Sequence, residues 1–217
     1  MSNNIVTPKR ALLVVDVQNE YVDGGFRIQY PPVSISLPNI VKIMDSAEEA
    51  RDPIILVRHY APEGVPIFAK GTNGFELHPQ VANRHHDLLI DKTLPSCFAG
   101  TNLESFLKSK DINTLVIVGY MTHNCDATTI FEAHHRGYNV EFISDASGSL
   151  PYENKAGYAS AEELHRVFSV VFQSNYASVS TTEEWLELSK KGTVLPVSNY
   201  LESNIAGLKK EQNNIKI

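Results

Sequence analysis

Residues 114–146 read TLVIVGYMTHNCDATTIFEAHHRGYNVEFISDA, and their pattern decides the fold. Thr114 to Gly119 is continuously apolar and rich in β-branched residues, as a strand buried on both faces must be. Cys125 to Arg136 then takes helical spacing. Asn124 before it is a good N-cap residue, and Gly137 after it suits a helix end. Asn139 to Ser144 (NVEFIS) reads as the next strand. Strand alternating with helix is the grammar of an α/β domain.

The same alternation extends in both directions. Ala11 to Asp16 (ALLVVD) and Pro53 to Arg58 (PIILVR) read as buried strands, Asp87 to Asp91 as a short one, and Ala177 to Ser180 as a weaker one. Leu37 to Arg51 places Ile40, Ile43, Met44 and Ala47 on one helical face. Thr101 to Lys110, Ser160 to Phe172 and Thr181 to Lys190 are also expected to be helices, the last opened by Thr181 with Glu184 three residues on. The expected fold is a three-layer α/β/α doubly wound domain with a mostly parallel sheet of about six strands. Tyr21 to Pro38 and Tyr60 to Gln80 remain as long loops bearing Gly and Pro, and loops of that length are usually functional. Residues 1–191 are read as one domain, and 192–217 as an extension, flexible or docking on a neighbouring subunit.

The bulk properties narrow the function. A chain of 217 residues suits one large domain. Its net charge is −6, and its densest basic runs are only Lys190-Lys191 and Lys209-Lys210, so nucleic acid is not an expected partner. No apolar run approaches bilayer length, so no membrane association is expected. MSNNIVTPKR has no apolar core of a secretory signal, and Cys97 and Cys125 are no disulfide framework. A cytoplasmic protein with a small-molecule substrate is the expectation.

Three residues stand where chemistry is commonly done. Asp16 ends the first strand, and ligands of open α/β sheets bind beyond the carboxyl ends of the strands. A carboxylate there serves as a base, a metal ligand or a helix cap. Cys125 opens a helix after a short turn, where free amides and the helix dipole favour a thiolate and would also hold an oxyanion. Lys92 follows a third strand, and a cation there lowers a thiol pKa or keeps a carboxylate ionised. Cysteines are as often plain buried packing residues, and lysines plain solvated ones; the convergence of all three on one rim raises their weight.

Three segments together resemble the isochorismatase-like superfamily of cysteine hydrolases. They are ALLVVDVQNEY (Ala11–Tyr21), FELHPQVANRHHDLLIDKTLPSCFAGTNLESFL (Phe75–Leu107) and the opening stretch, in the family's order. Their key positions Asp16, Lys92 and Cys125 lie 76 and 33 residues apart. The resemblance implies a catalytic triad of these three residues. Asp16 would take the thiol proton, Lys92 would stabilise the charges, and Cys125 would attack a carbonyl to give a thioester. It also implies an oxyanion hole from the backbone amides of Met121 and Cys125, and a cis peptide between Tyr120 and Met121. Gln18, Tyr21, Tyr120 and His123 are the expected substrate-binding residues, and Cys97 is read as packing. A homodimer or homotetramer is implied, with no cofactor.

The match also has gaps. Nicotinamidases of this superfamily bind a metal through an Asp-x-His pair and a later His, but here the pair's positions hold His59 and Ala61, leaving only His78. No complete metal site is therefore expected. Three functions follow. The first is hydrolysis of the C–N bond of a small amide, ureide or N-carbamoyl compound through a Cys125 thioester. The second is vinyl-ether hydrolysis of isochorismate with Asp16 as acid, for which Arg27 and Arg58 are the candidate partners of two substrate carboxylates. The third is a non-catalytic binding protein on the same fold.

Overall fold

The computed structural model describes residues 7–62 and 64–214. In chain order the elements are β1 (Arg10–Val15), α1 (Asn19–Val22), α2 (Val33–Ala50), β2 (Ile54–His59), α3 (Pro79–Ala82), β3 (Leu88–Lys92) and α4 (Leu103–Ser109). Next come β4 (Thr114–Tyr120), α5 (Ala127–His135), β5 (Asn139–Gly148), β6 (Tyr152–Asn154) and β7 (Gly157–Ala159). The chain continues with α6 (Ala161–Val171), β8 (Ser178–Ser180), α7 (Thr182–Leu188) and α8 (Tyr200–Asn214). Six strands form one sheet in the order β3-β2-β1-β4-β5-β8, and every neighbouring pair is parallel. β6 and β7 make a separate antiparallel hairpin.

β1 explains the layering. Successive side chains of a strand point to opposite faces. Leu12 and Val14 enter a core with α2 residues Ile40, Ile43 and Met44, while Ala11, Leu13 and Val15 enter a second core with Leu103, Leu107 and Ile130 of α4 and α5. With helices on both sides, all six residues of β1 are buried. The strand order reverses direction between β1 and β4, and that junction is where such sheets open a crevice at their carboxyl ends.

Gly119 sets how closely the two strands meet there. Its φ is 113°, and a Cβ at this position would lie 2.1 Å from the Val15 carbonyl oxygen, so only glycine fits. The register of β4 against β5 shifts at the same point, between Ile117 and Gly119. The opposite end of the sheet is tied by charge. Arg10 donates to both carboxylate oxygens of Glu141 at 2.9 Å, and Trp185 Nε1 donates to Glu141 Oε2 at 2.8 Å. This buried, fully partnered set joins β1, β5 and α7.

Several elements differ from the sequence expectation. α2 begins at Val33 and carries Pro38 inside it, where a loop was expected. A proline there removes one helical hydrogen bond, to Ser34 O, and both residues are exposed, so water can serve that carbonyl. The helix expected from Cys125 begins earlier, as a π-helical turn over Thr122–Asp126 that runs into α5, and Asn124 makes no cap. The 192–217 extension contains α8. Its Leu201, Ile205 and Leu208 recur at helical spacing but are 69%, 42% and 50% exposed, so they do not read as part of the domain core. Residues 215–217 of that extension lie outside the described residues.

Candidate active site

Three elements bring three side chains to one point. Asp16 follows β1 with φ of 50°, the left-handed region that few residues other than glycine, asparagine and aspartate enter. Lys92 is the last residue of β3, two strands away, and its long side chain reaches back beneath the crevice. Cys125 lies in the π-turn after β4. Lys92 Nζ stands 2.7 Å from Asp16 Oδ2 and donates to Cys125 Sγ at 3.2 Å. Asp16, Lys92 and Cys125 are 0%, 2% and 4% exposed. The Asp16–Lys92 contact is an ion pair rather than an aligned hydrogen bond, and Asp16 Oδ1 has no hydrogen-bond partner among the described residues.

The electrostatics of this cluster differ from the sequence expectation of an acidified thiol. Burial pushes the Cys125 thiol well above its ordinary pKa, and the Asp16 charge adds to this; Lys92 only partly opposes them. Burial works against the Lys92 charge, but Asp16 and Cys125 beside it outweigh burial and raise its pKa. At rest, therefore, a charged Lys92 stands beside a protonated thiol.

A second carboxyl lies next to them. Asp126 is fully buried, and neither of its carboxyl oxygens has a hydrogen-bond partner among the described residues. Burial, then the charge of Asp16, raise its pKa well above the carboxylate range, while Lys92 opposes. A carboxyl that stays protonated in the fold but ionises in the free chain stabilises fully only at acid pH, and that stability is lost as pH rises through the folded pKa. Urea unfolding at pH 5, 7 and 8 should show Asp126→Asn gaining stability on the native chain as pH rises. An equal difference at each pH would contradict a protonated Asp126.

Cys125 lies on the wall of a pocket of about 250 Å³. Tyr21, Phe26 and Phe68 form its aromatic side, with Phe68 4.9 Å from Tyr21 and edge-on to Phe26 and His59. Phe68 itself holds φ of 55°. The segment after β2 contributes Ala61, Pro62, Val65 and Ile67, and the π-turn contributes Asn124 beside Met121 and Cys125. Pro95 and Tyr152 complete the lining.

The expected substrate-binding residues divide. Tyr21 lines the pocket; Gln18, Tyr120 and His123 do not. Gln18 is buried with its amide nitrogen donating to His59 O and Phe75 O, and its oxygen accepting from His59 N. It fastens β2 and the following loop to β1, and its buried amide has no donor left for a ligand. Tyr120 is wholly buried, its hydroxyl 2.9 Å from Ser36 Oγ on α2. His123 turns to Ser149 at 3.0 Å and stands edge-on behind Tyr152. The Tyr120–Met121 peptide is cis. Cys97 is fully buried, its thiol raised to about 12 by burial.

Phe26, Phe68, His59, Asn124 and Tyr152 are pocket residues that sequence reasoning did not assign to substrate binding; the length of the two Gly/Pro loops was the only signal for the first two. Arg58 pairs with Asp91 at 2.8 Å and Glu76 at 3.2 Å and lies over the Phe75 ring, and Arg27 is exposed. Neither lines the pocket. His78 caps α3 through Nδ1. Among the described residues no group of three or more His, Cys, Asp or Glu is placed to hold a metal ion, and no helix is long and apolar enough to cross a membrane.

Comparison with known proteins decides the family. The profile of the Isochorismatase domain matches residues 10–184, all six strands of the sheet and most of both helical layers. The chain belongs to the isochorismatase family. Within it, the crystal structure of an isochorismatase candidate from Burkholderia xenovorans LB400 superposes with a TM-score of 0.93 at 52% identity, covering 95% of this chain and 100% of that one. The secreted isochorismatase effector Isc1 of Verticillium dahliae is 33% identical over 65% of this chain and 74% of its own. The ureidoacrylate amidohydrolase RutB of Agrobacterium fabrum is 27% identical over 64% of this chain and 76% of its own. The isochorismatase family thus includes amide-cleaving hydrolases among this chain's relatives, on the fold described above.

Proposed function

We propose that the protein is a cysteine hydrolase that cleaves the C–N bond of a small amide, ureide or N-carbamoyl compound. The observation that carries this reading is Cys125 on the pocket wall with Lys92 Nζ 3.2 Å from its sulfur and Asp16 2.7 Å beyond. Asp16 takes the thiol proton as Sγ attacks the carbonyl carbon, and Lys92 stays charged throughout. The amides of Met121 and Cys125 hold the oxyanion. On collapse the C–N bond breaks, and the nitrogen leaves with the proton held by Asp16. Water, deprotonated by Asp16, then hydrolyses the thioester and restores the thiol. A neutral thiol with an adjacent base suits this cycle, because the proton lost to Asp16 is the one the leaving nitrogen needs.

Isochorismate hydrolysis is disfavoured by the two arginines: both are off the pocket, where a dicarboxylate would need them. Product analysis separates the two reactions. Ammonia released from amides, with no pyruvate released from isochorismate, is the expected result; pyruvate without ammonia would overturn the proposal.

A further inference from the structure

We infer that the site selects a neutral amide with a compact, apolar acyl group and rejects acyl groups that carry a carboxylate. This rests on the amide-hydrolase reading and narrows it. The acyl wall is aromatic and aliphatic: Tyr21, Phe26, Val65, Ile67 and Phe68 face one pocket of about 250 Å³, below the size of pockets for drug-sized ligands. No arginine or lysine lines it among the described residues.

Cations nearby are already engaged. Lys92 is buried against Asp16 and Cys125, Arg58 is paired with Asp91 and Glu76, and Lys70 sits 3.8 Å over the Tyr60 ring. A ligand carboxylate entering this pocket would lose water and meet no opposite charge, the costly case for a buried ion. Besides Cys125 and the tyrosines Tyr21 and Tyr152, the polar residues that line the pocket are His59 and Asn124. His59 Nδ1 is buried without a hydrogen-bond partner among the described residues. Burial, with Lys92 nearby, lowers the pKa of that imidazole, so it presents a neutral hydrogen-bonding edge. Asn124 does the same with a carboxamide. Two neutral hydrogen-bonding groups on an apolar wall fit an uncharged ligand.

Activated esters test this without the natural substrate. p-Nitrophenyl isovalerate and mono-p-nitrophenyl malonate match in length and branching and differ in the carboxylate, and acylation of Cys125 releases nitrophenolate from either. The isovalerate should react at least ~30-fold faster, and Val65→Arg should narrow the ratio at least ~10-fold by supplying the missing cation. Equal or faster acylation of Cys125 by the malonate would overturn the substrate class and leave the hydrolase reading standing. Failure of both esters to acylate Cys125, read by peptide mass, would overturn the hydrolase reading and this inference with it.

Discussion

Asp16→Asn is expected to make Cys125 more acidic and at the same time to lower turnover by ~10³-fold or more. The two effects run in opposite directions because Asp16 does two things. Its charge, after burial, is the main influence holding the Cys125 thiol protonated, so its removal leaves Lys92 as the charge facing the sulfur. Its carboxylate is also the acceptor for the thiol proton and the donor to the leaving nitrogen, a relay that asparagine cannot run. Asparagine is the suitable replacement, since the position has φ of 50° and asparagine tolerates that conformation. The pH dependence of iodoacetamide alkylation at Cys125, read by mass spectrometry with Cys97 as internal control, gives the first effect; steady-state turnover gives the second. A thiol that becomes less acidic in the variant would contradict the electrostatic account. Turnover within a few-fold of the native enzyme would remove Asp16 from the proton path.

Cys125→Ala carries the largest expected loss, ~10⁴-fold or more in kcat, with the fold retained. The side chain borders an open pocket, so its truncation widens that pocket slightly instead of leaving a sealed void. Circular dichroism and the unfolding midpoint should therefore stay near native values while ammonia release disappears. Turnover that survives in this variant would assign the chemistry to water activated by Asp16, with no covalent step.

The fold was legible because its strands are buried on both faces. Ala11 to Val15 and Thr114 to Gly119 have no polar face to alternate with, and only a helix-covered parallel sheet explains such runs. Asp16, Lys92 and Cys125 were legible for a related reason: each closes or follows a strand of the sheet, so the sheet order itself carries them to one rim. What lay beyond sequence was side-chain direction after the strands end. Gln18 and Tyr120 flank the site in sequence, yet one is consumed by three backbone hydrogen bonds and the other by Ser36. Phe68 joins the pocket through a left-handed backbone turn in a segment with no periodicity to read. The sign of the Cys125 shift was also out of reach, because it depends on how deeply the thiol is buried and on the charge of Asp16 beside it.

The central claim is a thioester on Cys125, and rapid-quench mass spectrometry tests it most directly. The enzyme is mixed with a neutral amide, quenched in acid within the first turnover, and digested. The account predicts an acyl mass on the Cys125 peptide that rises and decays with turnover, is absent in Cys125→Ala, and never appears on Cys97. Amide turnover accompanied by no acyl adduct under conditions where the ester-formed adduct survives the quench, or by an adduct elsewhere, would contradict it.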